Sequence, residues 1–207
     1  YRAARLLQPA AAGRGVSMGL VKRVPVGAGL GGGSSDAAAA LIGLNLLWEL
    51  NLSGEKLAGY AAELGSDVPL FLGGPASRMS GRGERLVPAE VGDFRAVLVL
   101  PEVACPTGAV YAAYDAAPSG RPGGATSTAA TADLPRPASA WSDRLHNDLA
   151  PAALAVRPEL AETADQVERA TRRRPHVTGS GSAMFLLADD LEAARRLAEP
   201  ISSAGLR

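Results

Sequence analysis

The sequence predicts an α+β protein of two lobes that divide near residue 90. Three observations carry this expectation. A glycine-rich loop at 27–33 opens onto a long segment with apolar residues at helical spacing, Ala37, Ala40, Leu41, Leu44 and Leu47. From residue 95 onward, strand-like and helix-like segments follow in the order of half a split βαβ sandwich, one strand short. The 207 residues, 47% apolar and 20% charged, suffice for one or two domains with ordinary cores.

In chain order, residues 2–8 read as the end of a helix, and Val16 to Val24 show the partial alternation of a strand that Pro25 stops. After the glycine loop, Ser34 and Ser35 stand where caps would begin the first long helix. Asp36 falls in its first turn, where a negative charge is favourable. A second helix starts from a Ser53 cap, with Glu55 in its first turn and Gly65 as its stop. Residues 76–88 suggest two short strands around Gly81-Arg82-Gly83, which complete a lobe over residues 1–90. The lobe at 91–207 opens with RAVLVL at 95–100, the clearest strand, and continues into a short helix at about 107–115. Residues 116–140 are rich in Pro, Gly, Ser, Thr and Ala and hold too little apolar bulk to order themselves, so a flexible loop is expected. Helices at 147–156 and 158–172 follow, with Pro158 suited to a first helical position. Then come a strand, the TGSGSA turn, the strand MFLLA and a helix from Asp190 to Glu199.

Composition excludes several classes. Equal numbers of basic and acidic residues, 21 each, give no global field to attract nucleic acid or an anionic membrane. A single Cys105 allows no internal disulfide or cysteine-rich zinc site, and two histidines allow no multi-histidine metal centre. No apolar run is long enough to span a bilayer. A cytoplasmic protein is expected, in which any anion site is local. His146 and His176 read as structural residues.

The local anion site is the run Pro25, Val26, Gly27, Ala28, Gly29, Leu30, Gly31, Gly32, Gly33, Ser34 and Ser35. Five glycines in seven positions leave backbone N–H groups unobstructed and free to converge, and a helix N-terminus just beyond adds partial positive charge. This is phosphate-binding chemistry, and Ser34 or Ser35 can contact phosphate or help hold magnesium. GAGLGG fits the dinucleotide fingerprint, but the strand expected before it carries Lys22 and Arg23 and ends in a proline. No Lys follows the last glycine as a Walker A loop needs, and Ser34 stands where a protein-kinase loop has valine.

PVGAGLGGGSSDAAAAL at 25–41 resembles the ATP loop of the GHMP kinases. With LGSDVPLFL at 64–72, LHNDL at 145–149 and TGSGSAMF at 178–185, the chain is similar, within that superfamily, to the 4-diphosphocytidyl-2-C-methyl-D-erythritol kinases of non-mevalonate isoprenoid synthesis. The resemblance covers residues 16–199 apart from the loop at 116–140. It implies a GHMP-kinase fold with an ATP-binding first lobe, and ATP and Mg2+ as the cofactors, with Ser35 as a magnesium contact. The implied substrate is a small molecule phosphorylated on its 2-hydroxyl. It implies that Asp67 of GSDVP accepts the proton of the attacking hydroxyl, as the logic of phosphoryl transfer also favours. Without the motif, Asp67 reads as a turn cap before Pro69. Gly179, Ser180 and Gly181 match the family's third motif, which lies beside the phosphate loop. Thr107 and Asn147 are candidates to face the substrate.

The family's opening PAKINL and DGYHEL motifs, with the lysine that assists the aspartate and the cytidine pocket, are not found here. The sequence therefore reads as truncated at its start and also short of a last strand. On that reading the 207 residues alone have negligible turnover, and the alternative function is a non-catalytic nucleotide-binding remnant.

Overall fold

The computed structural model describes residues 1–74, 76–81, 83, 85–117 and 137–206. By internal contacts the chain forms two units, Tyr1–Val24 with Gly31–Glu90, and Pro25–Leu30 with Val91–Arg207. The run Pro25–Ser35 is thus divided, its first six residues belonging to the second unit. Most of the segment expected to be a flexible loop, residues 118–136, lies outside the described residues.

The first unit is built on three helices, α1 (Arg2–Leu7), α2 (Gly32–Leu47) and α3 (Gly54–Leu64), with a 3-10 turn at Pro69–Leu72. Leu7, Leu41, Leu44, Trp48, Ala61 and Val68 form its core, with Ala3, Ala4 and Ala38 as the small residues that let the helices approach closely. Burying a leucine such as Leu41 contributes about 1.5–3 kcal/mol relative to leaving it exposed. Ser53 caps α3 as expected, its hydroxyl accepting from the Lys56 N–H at 3.3 Å, and Gly65 follows the helix. The antiparallel hairpin β1 (Ser77–Ser80) and β2 (Arg85–Pro88) pairs Ser77 with Pro88 and Ser80 with Arg85.

Val16 to Val24 do not form the expected strand. Met18, Leu20 and Val21 are exposed, and a strand without a neighbour has no ladder to hold it extended. Its approach is anchored instead by side chains of the first unit. Trp48 Nε1 donates to the Gly15 carbonyl at 3.3 Å, and the Arg14 guanidinium donates to the Trp48 carbonyl.

The second unit carries a three-stranded antiparallel sheet in the order β3 (Arg95–Val99), β5 (Met184–Ala188), β4 (His176–Val177). The continuous apolar run of β5 reflects its central position, since both its faces are covered. Met184 and Leu186 join Val99, Val110, Leu160, Val167 and Ile201 in the core beneath α4 (Thr107–Ala116), α5 (Ala150–Val156), α6 (Glu159–Thr171) and α7 (Leu191–Ser203). Leu187 and Phe185 turn the other way, onto Trp141 and Ala138 of a 3-10 helix at Ala138–Arg144. Ser139 ties that helix to the Asp189 carboxylate through its N–H at 2.7 Å and its hydroxyl at 2.9 Å, and Ser142 Oγ lies 2.8 Å from His176 Nε2.

Three expected boundaries move. α5 begins at Ala150 rather than 147, because the Asn147 side chain is engaged elsewhere. Pro158 stands just before α6 instead of at its first helical position. α7 passes Glu199 and continues through Pro200 to Ser203, carried by Ile201, which is 3% exposed in the core. Burying that side chain, about 1.5–3 kcal/mol, offsets part of what a proline inside a helix costs.

Candidate functional site

In the second unit, Pro25–Leu30 lie against the turn at 178–183, and the backbone carbonyls make the attachment. Gly27 O accepts from the Cys105 N–H at 3.2 Å and the Ser182 N–H at 3.3 Å, and Ala28 O from the Ala183 N–H at 3.0 Å. Gly29 O accepts from the Thr178 hydroxyl at 2.7 Å. The approach is so close that a Cβ on Gly29, whose φ is +70°, would stand 2.2 Å from the Thr178 carbonyl oxygen. No residue but glycine fits there. Gly179 and Gly181 also have positive φ, and the turn closes on itself through the Gly181 N–H to the Thr178 carbonyl at 2.8 Å. Ser180, 7% exposed, has its hydroxyl 3.2 Å from that of Thr107. Cys105 is buried among these residues, and that burial pushes its thiol above the ordinary range, with Arg157 partly offsetting it.

In the first unit, Gly31 at φ +66° precedes α2, and the first intrahelical bond runs from the Ser35 N–H to the Gly31 carbonyl at 2.9 Å. Ser34 and Ser35 are therefore inside the first turn, and neither caps it. A helix begun by glycines starts three residues earlier than the serines suggest, and the Ser35 hydroxyl bonds back to Gly32 O at 2.9 Å. Asp36 consequently lies beyond the first turn and pairs with Lys22 at 2.5 Å. Both side chains of that pair are about one-third exposed, so it adds at most about 1 kcal/mol. A Cβ on Gly31 would lie 2.7 Å from Phe71 Cζ, and one on Gly32 would lie 2.8 Å from Val24 Cγ1. One on Gly33 would meet nothing within 4 Å.

The contact with Phe71 brings the Asp67 turn beside the start of α2 within this unit. Asp67 sits in the turn that the Val68 N–H to Gly65 O bond closes at 3.1 Å, ahead of the 3-10 residues Pro69–Leu72. Gly83 presses on the same turn, leaving 2.2 Å between a Cβ built there and the Ser66 carbonyl oxygen. The Asp67 side chain itself is exposed and makes no hydrogen bond or ion pair among the described residues. A capping aspartate would accept from a backbone N–H two or three residues on, and this carboxylate does not.

Across the whole loop, no N–H from Val26 through Ser34 donates to a protein acceptor among the described residues, although the carbonyls of Gly27, Ala28 and Gly29 are all taken. Within the second unit the amides of Val26–Leu30, with the carbonyls of Gly27–Gly29 engaged elsewhere, are donors open to an anion, and within the first unit so are the amides at the start of α2. Sequence reading missed two supports of the loop that lie outside this run of amides. Thr178 is overshadowed by the glycines that follow it. Asn147, a candidate to face the substrate, gives its side-chain N–H groups to the carbonyls of Val177 and Gly179, both at 2.8 Å. His146 is exposed and lies 2.6 Å from the Asp148 carboxylate, and His176 lies 2.8 Å from Ser142 Oγ.

Residues 1–75 match the model of the GHMP kinases N terminal domain. A 4-diphosphocytidyl-2-C-methyl-D-erythritol kinase of Symbiobacterium thermophilum is 39% identical over 205 residues, 97% of this chain and 72% of that protein. The chain belongs to the 4-diphosphocytidyl-2-C-methyl-D-erythritol kinase family. A crystal structure of 4-(cytidine 5'-diphospho)-2C-methyl-D-erythritol kinase, 38% identical, matches with a TM-score of 0.71 over 98% of this chain and 73% of its own. This match carries the α+β GHMP-kinase fold to the present chain. The kinase of that family from Kineococcus radiotolerans is 43% identical over 98% of this chain, which spans only 65% of that relative's length.

Among the described residues no helix is long and apolar enough to cross a membrane, and no cluster of three or more His, Cys, Asp or Glu is placed to hold a metal ion.

Proposed function

We propose that this chain is an ATP-dependent cytoplasmic kinase that phosphorylates the 2-hydroxyl of 4-diphosphocytidyl-2-C-methyl-D-erythritol in the non-mevalonate route to isoprenoids. The observation that carries this reading is the unpaired run of N–H groups from Val26 to Ser34. Family membership supplies the substrate class. When bound, ATP supplies the phosphoryl group, and magnesium on its phosphates offsets charge that the protein leaves unneutralised. Magnesium held chiefly by phosphates and water needs only one or two protein oxygens, and the lone pairs of the Ser35 hydroxyl, whose hydrogen goes to Gly32 O, suit that role. The backbone of Pro25–Ser35 cradles the phosphates, and the turn at Gly179, Ser180 and Gly181 shapes the loop from below.

The Asp67 carboxylate orients the attacking hydroxyl and accepts its proton. Its exposure, and the absence of a partner for it among the described residues, support that assignment, because a general base must have a free lone pair directed at substrate. The test is to incubate the chain with MgATP and the cytidine substrate and to follow formation of ADP and the phosphorylated alcohol. Transfer dependent on both supports the reading. MgATP binding with no transfer would mark a nucleotide-binding module instead.

A further inference from the structure

We propose that Asn147 is a positioning residue for the phosphate loop, acting through Thr178 and not through contact with substrate. The inference rests on the reading of Val26–Ser34 as a phosphate cradle, and it adds a component that lies outside the cradle.

The side chain of Asn147 is fully engaged. Nδ2 donates to the carbonyls of Val177 and Gly179, and Oδ1 accepts from the Leu149 N–H at 3.0 Å. Two carbonyl acceptors and one N–H donor admit only one orientation of the amide, so the assignment of its oxygen and nitrogen follows from the network. The two carbonyls flank Thr178 on either side. Asn147 thus fixes the peptide unit that enters Thr178 and the one that leaves Gly179, while the Thr178 N–H is held by Ala183 O at 3.0 Å and its carbonyl by the Gly181 N–H at 2.8 Å. The Thr178 hydroxyl then holds Gly29 O at 2.7 Å. Two further links to the loop, from Ser182 to Gly27 O and from Ala183 to Ala28 O, arise in the same turn, and the Cys105 N–H adds a separate one to Gly27 O. The start of α5 is in this way connected to the middle of the glycine loop through two side chains. Since Gly29 is a glycine in the left-handed region, its own backbone preference is weak, and the bracket fixes it.

Amide hydrogen exchange tests the positioning without any ligand. In Asn147→Ala and in Thr178→Val, exchange at Cys105, Ser182 and Ala183 should quicken at least tenfold, while the amides of α6 exchange as in the parent. Thr178→Ser, which keeps the hydroxyl, should restore parental exchange. Uniform acceleration throughout the second unit, or no change at those three amides, would overturn the proposal and leave Asn147 as a general structural residue. In the second arm, titration with MgATP should give a dissociation constant raised about tenfold by Asn147→Ala and Thr178→Val and less than twofold by Thr178→Ser. Parental affinity in both variants would show that the bracket does not serve the phosphate site. If the parent chain itself failed to bind MgATP, the phosphate-loop reading would fall, and the exchange result would still decide whether Asn147 holds the loop.

Discussion

Gly33→Ala separates the phosphate cradle from the packing of the loop. Gly31 and Gly32 face Phe71 and Val24, so larger residues there disturb contacts inside the first unit before they reach any ligand. Gly33 has open space around it and lies within the first turn of α2. Alanine in a helix is favoured over glycine by about 0.5–1 kcal/mol, which for a chain of this length raises the midpoint of thermal unfolding by about 1–4 °C. The added methyl leans toward the helix N-terminus, as every Cβ on a helix does, and so over the free amides of Gly33 and Ser34. Hydrogen bonds to a charged acceptor contribute about 1.5–3 kcal/mol each, so displacing one should weaken MgATP binding about 10- to 100-fold. Calorimetric titration and a melting curve on the same sample make the comparison. A protein that is more stable and binds MgATP weakly is expected. One that is more stable and binds MgATP as the parent does would show that phosphate does not rest on the start of α2.

Three further outcomes follow. Gly29→Ala combines a left-handed φ, costing about 1–2 kcal/mol, with a Cβ 2.2 Å from the Thr178 carbonyl oxygen, which must push the turn away and break the Thr178 hydroxyl bond, about 1 kcal/mol more. Its urea midpoint should fall by the equivalent of about 2–3 kcal/mol at unchanged m-value, and a loss under about 0.5 kcal/mol would contradict the close approach. Asp67→Asn should lower turnover about 10²- to 10⁴-fold with MgATP affinity retained, and turnover within about threefold of the parent would leave Asp67 a plain turn residue. Burial, and secondarily the Arg173 guanidinium, hold His176 neutral below the ordinary histidine range, with Asp143 opposing them. As pH falls below about 6.5 the unfolded chain takes up the proton first, so stability should decline until the folded-state value is passed and then level off. His176→Gln should remove that part of the acid slope, and equal slopes from pH 7 to pH 5 in both proteins would refute it.

What the sequence revealed, and what it did not, follows from the range of the interactions involved. The Ser53 cap, the β5 run and the hairpin around Gly81 are local patterns with local causes, and each forms where it was read. The strand expected at Val16–Val24 fails because alternation shows only that a segment is able to pair, and pairing also needs a neighbour. Ser34 and Ser35 look like caps because capping is usually done by side chains, but glycines here let the backbone begin the turn earlier. The composition of the glycine loop was legible, while its mode of support was not. The bonds from Thr178 to Gly29 and from Asn147 to Val177 and Gly179 join residues far apart in sequence, and no local spacing encodes them.

The central claim is that the backbone from Val26 to Ser34 receives the phosphates of ATP. It is tested most directly by assigning the amide resonances of the chain and titrating with MgATP. The N–H signals of Val26 to Ser34 should move most, with downfield shifts of the kind produced by donation to phosphate, and NADH at the same concentration should leave them in place. Shifts located elsewhere with these amides unmoved, or a response to NADH in preference to MgATP, would contradict the account.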